Sequence, residues 1–212
     1  MTLRFPRGLY GITPDWSDTD RMLAAVEQAH EGGMVALQWR RKQGTPAERH
    51  AQLLRLREHT LALGLLLIVN DDWRLAADVD ADGVHMGRDD GSISQARLTL
   101  GSDKIIGCSC YDQPALAALR LGQDADYIAF GAVYPSQIKP DAARATLDHI
   151  REGRRIAKAR DPRAAIVAIG GITPDNAAPL IQAGTDSLAV ISALFEAPDI
   201  RLAAAQFAAL FA

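Results

Sequence analysis

Eight short apolar runs, each followed by a stretch of helical spacing, constrain this chain more than any other feature. The runs are GLYGIT (8–13), MVALQWR (34–40), LLLIVN (65–70), GVHMG (83–87), KIIGCSC (104–110), YIAFGAV (127–133), AIVAIGG (165–171) and SLAVIS (187–192). Between them, stretches such as DRMLAAVEQAHEGG and PAERHAQLLRLREHTLALG carry apolar residues at helical intervals. Regular alternation of this kind calls for a parallel sheet with its helices outside. Eight repeats within 212 residues predict a compact (β/α)8 TIM barrel of the α/β class, with residues 1–212 as a single domain. A doubly wound open sheet is the rival. The count of eight argues against it, as does the lack of a G-x-G-x-x-G loop after the first run. No linker or low-complexity segment divides the chain. Three runs are approached alike, in DADGVHM, DADYIAF and GTDSLAV, each with a small residue and an Asp just before the strand.

Composition excludes several classes of function. Hydrophobic residues make up 48% of the chain, enough for a sizeable core. The net charge of -3 gives no global basic field for nucleic acid, so an anionic ligand needs a local cluster of cations. No apolar run approaches the roughly 18 residues of a membrane span. The segment MTLRFPRGLY lacks the long apolar stretch of a secretory leader, which predicts a cytoplasmic protein. Cys108 and Cys110 are too close for the usual C-x-x-C redox or zinc patterns and read as two buried, reduced thiols.

A barrel converts position into function. Chemistry sits at the C-terminal ends of the strands, and inward residues alternate with outward ones. The second run then aims Gln38, Arg40 and Lys42 into the mouth and turns Val35, Leu37 and Trp39 toward the helices. The third run ends in LIVNDD, a core strand stopped by Asn70, Asp71 and Asp72. The fourth brings His85, then Asp89 and Asp90; the fifth brings Ser109; the long stretch YPSQIKPD after the sixth brings Ser136 and Lys139. Cations and carboxylates in one mouth suit Mg²⁺ and a polyphosphate, because Mg²⁺ takes one or two carboxylates and completes its shell with phosphate oxygens and water. In this reading Asp71 and Asp90 hold metal, Asn70 donates to a phosphate oxygen, and Asp72 either faces solvent or caps the next helix. A second anion site is expected where Gly170 and Gly171 leave backbone N–H groups uncovered. There Thr173 and Pro174 open a helix and Ser192 begins another.

Taken together and in order, LYGITPD, LQWRRK, LIVNDD, DGVHMGRDD, IIGCSCYD, DYIAFGAVYPSQIKPD, VAIGGITPDN and VISALF resemble the thiamine phosphate synthase family across nearly the whole chain. The resemblance implies a (β/α)8 barrel and a Mg²⁺-dependent transferase reaction between two small molecules. These are a hydroxymethyl-aminopyrimidine pyrophosphate and a hydroxyethylthiazole phosphate; the products are thiamine phosphate and pyrophosphate. It places Gln38, Arg40, Lys42, Asn70 and Lys139 on the pyrophosphate substrate and Asp71 and Asp90 on Mg²⁺. It places Ser109 near the pyrimidine and its leaving group, and Gly171, Ile191 and Ser192 on the thiazole phosphate. His85 reads either as a substrate contact or as a hydrogen-bonded core histidine. Two departures stand out: Arg88 occupies a place where the family usually has Gln, and Pro135-Ser136-Gln137-Ile138-Lys139 replaces P-T-x-T-K, so Ser136 keeps a hydroxyl that Ile138 lacks.

The residues fit such chemistry. An electron-rich aminopyrimidine stabilises the cation left when pyrophosphate departs, so the protein needs to neutralise charge and position a nucleophilic nitrogen, with no side-chain nucleophile. No G-x-S-x-G elbow is present in the sequence. Two rivals are a thiazole tautomerase on the same barrel and a non-catalytic barrel that binds a thiamine precursor. Asp71, Asp90 and Lys139 argue against the tautomerase, which lacks the metal-binding acids. A homo-oligomer is left open by the sequence, and the stretch 134–145 is expected to act as a lid carrying Lys139.

Overall fold

The computed structural model describes residues 2–135 and 144–212. Eight parallel strands, β1 (Gly8–Ile12), β2 (Met34–Trp39), β3 (Leu66–Asn70), β4 (Gly83–Met86), β5 (Ile105–Tyr111), β6 (Tyr127–Gly131), β7 (Ala165–Ile169) and β8 (Ser187–Val190), close in sequence order into a barrel. Around it lie α1 (Thr19–Glu31), α2 (Pro46–Leu63), α3 (Trp73–Asp78), α4 (Ile93–Leu100), α5 (Pro114–Leu121), α6 (Leu147–Arg160), α7 (Ala178–Gln182), α8 (Ser192–Phe195) and α9 (Ile200–Ala209). The (β/α)8 expectation holds, and every predicted run forms its strand.

Period-two alternation splits the core into two layers. Inside the barrel pack Tyr10, Ile12, Ala36, Ile68, Ile105, Tyr127, Ala129, Val167 and Ala189. Between barrel and helices pack their neighbours in sequence, among them Leu37, Trp39, Leu67, Val69, Ile128 and Leu188. Phe5 plugs the bottom of the barrel, its ring 4.8 Å from Tyr10 and 4.4 Å from Tyr127. The large Tyr127 ring fits because Gly107 faces it. A Cβ on Gly107 would lie 1.8 Å from that ring, so glycine there is a packing requirement. Trp39 on the outer face is fixed to α2 by an N–H···O bond of 3.0 Å to Gln52.

The shared Asp before β4, β6 and β8 proves to be one device used three times. Each carboxylate accepts the N–H of the second residue of the preceding strand: Asp82 from Leu67 (2.8 Å), Asp126 from Ile106 (2.8 Å) and Asp186 from Ile166 (2.7 Å). Each also pairs with an Arg from the helix before that preceding strand, namely Arg57 of α2, Arg97 of α4 and Arg154 of α6. One acid therefore ties strand, strand and helix together at the N-terminal end of the barrel, opposite the mouth.

One expectation needs correction. Thr173 and Pro174 do not open a full helix; they open a single 3₁₀ turn, Pro174–Asn176, before α7. Asn176 folds back to accept the Thr173 N–H at 2.9 Å and to donate to the Gly171 carbonyl at 3.0 Å, which closes the turn early. Cys108 and Cys110 are free and buried, as expected. Burial pushes the Cys108 thiol up to about 12 and raises Cys110 as well. Neither thiol is therefore expected to react with a disulfide reagent in the native protein, and both should react once it is unfolded; a colorimetric thiol count in buffer and in denaturant checks this.

Candidate active site at the strand ends

The C-terminal ends of all eight strands open into a cavity of about 990 Å³. One wall is ionic. Gln38, Arg40, Lys42, Asn70, Asp71, Asp89 and Asp90 line it from β2, β3 and the segment after β4. The opposite wall is mostly backbone and small side chains: Gly170, Gly171, Ile191, Ser192 and Ala193 from the ends of β7 and β8.

Each charged group is held by local structure. Thr13, buried just past β1, accepts the Arg40 N–H at 2.8 Å, and its own N–H reaches the Gln38 carbonyl at 2.9 Å. This latch fixes the end of β2. Asp15 then accepts the N–H groups of Lys42 (3.0 Å) and Gln43 (3.3 Å), which turns the chain and leaves Lys42 at the rim. Asp71 has a left-handed backbone, φ 67, unusual away from glycine and characteristic of functional turns. Its N–H still bonds the His85 carbonyl at 2.8 Å, so it leaves β3 aimed toward β4. Asp72 caps α3, accepting from Arg74 and Leu75, and stays outside the cluster as expected. Asp90 accepts the Gly87 N–H at 2.6 Å, and its carboxylate sits where a side chain on Gly87 would otherwise stand.

The two acids therefore converge. Partial burial, followed by the charge and hydrogen bonding of Asp90, pushes the Asp71 carboxyl up to about 6, while Lys42 and Arg40 pull it back. Among the described residues no group of three or more His, Cys, Asp or Glu could hold a metal unaided. Two carboxylates of hard oxygen, facing a cationic rim, match a Mg²⁺ ion whose remaining ligands come from phosphate and water.

Beneath this wall, His85 bonds Tyr127 at Nδ1 and Ser109 at Nε2, both at 2.9 Å, and its ring stacks on Tyr127. Burial lowers its pKa to about 4, with Asp90 acting in the opposite direction, so the ring is neutral near pH 7. These contacts make His85 a hydrogen-bonded histidine of the barrel interior. Its ring also lines the cavity.

At the β7–β8 wall, Gly170 (φ 107) and Gly171 (φ 63) take left-handed conformations, and the Pro135 carbonyl packs 2.3 Å from where a Gly171 Cβ would be. Only glycine permits that approach. Ser192 and Ala193 open α8, so their N–H groups lack intrahelical partners, and both residues line the cavity.

A family model described as thiamine monophosphate synthase matches residues 9–194. The chain belongs to this family. It is 52% identical over 211 residues to a thiamine-phosphate synthase of Bordetella pertussis, covering 99% of this chain and 97% of that one. It is 53% identical over 209 residues to one of Thiobacillus denitrificans, covering 98% and 96%. The solved structure of thiamine phosphate pyrophosphorylase from Pyrococcus furiosus superposes with a TM-score of 0.82 at 33% identity, covering 98% of this chain and 96% of that one. The activity of the thiamine monophosphate synthase family, a transferase reaction of thiamine biosynthesis, is thus the activity of this chain.

Of the site residues expected from sequence, Gln38, Arg40, Lys42, Asn70, Asp71, His85, Asp90, Ser109, Gly171, Ile191 and Ser192 line this one cavity. Ser136 and Lys139 lie outside the described residues. Sequence reasoning missed Tyr10, Thr13, Asp15, Tyr111 and Tyr127. Tyr111 accepts the Arg88 N–H at 3.2 Å, and the Arg88 guanidinium stands 5.0 Å from its ring centre. Arg88, one of the two departures from the family pattern, is thereby seated against the cavity wall. The inward parity of Tyr10, Tyr111 and Tyr127 was available as a signal; their partners, far away in sequence, were not.

Proposed function

We propose that the cavity joins a hydroxymethyl-aminopyrimidine pyrophosphate to hydroxyethylthiazole phosphate. The bond from the pyrimidine methylene carbon to the pyrophosphate oxygen breaks, and the electron pair leaves with pyrophosphate. The thiazole nitrogen then bonds that carbon, giving thiamine phosphate. The observation that carries this reading is the two-walled cavity. An ionic wall faces a wall of glycine and helix-start N–H groups, and the volume suits two small ring systems.

On the ionic wall Arg40, Lys42 and Asn70 take up the charge of the departing pyrophosphate. Asp71 and Asp90 would hold Mg²⁺, which supplies further positive charge to the phosphate oxygens. Convergence of two acids in the free protein supports that assignment, since a cation between them relieves their repulsion. The Gly171–Ser192 wall anchors the thiazole phosphate through main-chain N–H groups and so places the ring nitrogen. Ser109 stands between the two walls on β5. Lys139, on the family's loop pattern, adds a cation to the leaving group. Among the described residues no helix is long and apolar enough to cross a membrane; a cytoplasmic enzyme of small-molecule substrates fits this reading.

Pyrophosphate release measured with both precursors, and with each omitted, tests the reaction. Release is expected only with both precursors and Mg²⁺. Release without the thiazole would indicate a hydrolase, and isomerisation of a thiazole precursor without release would indicate a tautomerase. Lys139→Ala is expected to reduce turnover by roughly 30- to 1,000-fold, the cost of losing one donor to a developing anion. Its melting temperature should stay within about a degree, because Lys139 belongs to a polar stretch of sequence, YPSQIKPD, with no apolar run to bury. Normal turnover in this variant would remove Lys139 from the mechanism.

A further inference from the structure

A chain of four hydrogen bonds crosses the barrel interior just under the cavity. The Gln38 Nε2 lies 2.8 Å from the Tyr10 hydroxyl, which lies 2.9 Å from the Tyr127 hydroxyl. Tyr127 lies 2.9 Å from His85 Nδ1, and His85 Nε2 lies 2.9 Å from Ser109 Oγ. Five strands, β2, β1, β6, β4 and β5, contribute one member each. Gln38, Tyr10 and Tyr127 are almost wholly buried. Polar groups in an apolar barrel layer are costly unless every link is made, so the arrangement is specified rather than incidental.

Proton counting restricts what the chain can be. Each phenol carries one proton and so does a neutral imidazole. Both phenol O–H groups are buried with no acceptor outside the chain, so each must donate along it, and the chain has only two fully bonded states, with all its bonds running one way or all running the other. The Gln38 end selects between them. The group facing Tyr10 is the amide nitrogen, which donates and cannot accept. Tyr10 must therefore accept from Gln38 and donate to Tyr127. Tyr127 in turn donates to His85 Nδ1, and the ring proton sits on Nε2 and goes to Ser109 Oγ. The Ser109 oxygen accepts from below with one lone pair, and its own proton is free to point into the cavity.

We propose that this relay directs the Ser109 O–H into the cavity as a hydrogen-bond donor to the bound substrate, with His85 as the positioning residue locked in its Nε2–H tautomer. The reading rests on the proposed function only for the identity of what Ser109 meets. The atom this O–H serves is an acceptor, either a ring nitrogen of the aminopyrimidine or an oxygen of its pyrophosphate.

The tautomer can be read without turnover. In protein labelled with ¹⁵N-histidine, long-range proton–nitrogen correlation at neutral pH is expected to show His85 protonated at Nε2 and bare at Nδ1; the signal is assigned by its loss in His85→Asn. An Nδ1–H ring would reverse every link and overturn the proposal, whatever the enzyme's activity. The second arm uses kinetics. Tyr127→Phe keeps the ring and removes the donor to Nδ1, and is expected to lower kcat/KM about 2- to 10-fold, the worth of one neutral hydrogen bond. In a Ser109→Ala background the same substitution should change nothing further, because its effect passes through Ser109. Equal losses in both backgrounds would mark Tyr127 as a packing residue only and overturn the relay. Failure of the synthase reading itself would appear separately, as no pyrophosphate release by the unaltered enzyme.

Discussion

Asp71→Asn and Asp90→Asn are each expected to reduce Mg²⁺-supported pyrophosphate release by about 100-fold or more, and the double variant to lose little beyond either. A metal ion on phosphate oxygens contributes several kcal/mol to the transition state, and 1.36 kcal/mol is a factor of ten. The two acids come from the ends of adjacent strands, β3 and β4, and reach the same point. A cation held by two carboxylates is poorly held by one, so the first substitution removes most of what there is to lose. Stability should move the other way. The folded-state value of Asp71 is raised, to about 6 from 3.8. A raised carboxyl contributes stability that is fully present below 3.8 and lost as pH rises through about 6. Near pH 7 the metal-free protein thus carries a repelling pair that Asn relieves, and Asp71→Asn without Mg²⁺ should melt no lower than the parent. Asp72→Asn serves as the control. Asp72 caps α3, so its replacement should cost stability of about 0.5–2 kcal/mol and leave Mg²⁺ dependence unchanged. Additive losses at Asp71 and Asp90, or an Asp72 variant as inactive as theirs, would show that the metal is held elsewhere.

The barrel was legible because its signal is local. Each run is a short apolar segment, most helices carry a capping side chain, and eight repeats leave few architectures. The ionic wall was legible for the same reason: once β2, β3 and β4 are placed, position along a strand says which side chains reach the mouth. What the sequence could not show is what distant residues do to one another. Tyr10 and Tyr127 are 117 residues apart, and nothing along the chain marks them as partners until the barrel closes. Thr13 and Asp15 read as ordinary turn residues, although they set where Arg40 and Lys42 stand. Thr173-Pro174 shows the reverse error. A strong local helix-start pattern yielded to Asn176, whose side chain satisfies the turn before a helix can continue. The repeated Asp before β4, β6 and β8 was visible as a pattern without a meaning, because its arginine partners lie at least 25 residues away.

That repeated acid also predicts the largest loss of stability. Asp126 is the most enclosed of the three, 3% exposed, and carries the most partners. Its two oxygens meet Arg4 at 2.6 Å, Arg97 at 2.5 Å and the Ile106 N–H at 2.8 Å. Asp126→Ala leaves the Arg97 guanidinium partly buried without its acid and the Ile106 N–H with no acceptor inside the core. Breaking a buried pair from one side costs about 3–5 kcal/mol, most of it the stranded charge. Asp82→Ala should cost less, because its side chain is 25% exposed and water can reach the arginine left behind. The discriminating comparison is Arg97→Met combined with Asp126→Asn. This pair removes the charge on both sides and keeps an acceptor for Ile106, so it should recover much of the loss. Urea midpoints for the three variants measure the differences at unchanged slope. All of these groups lie at the N-terminal end of the barrel, so turnover per folded molecule should be unaffected. A fall in turnover without a fall in midpoint would mean that the bottom of the barrel communicates with the mouth. Equal midpoints for Asp126→Ala and Asp82→Ala would mean that burial is not what gives Asp126 its weight.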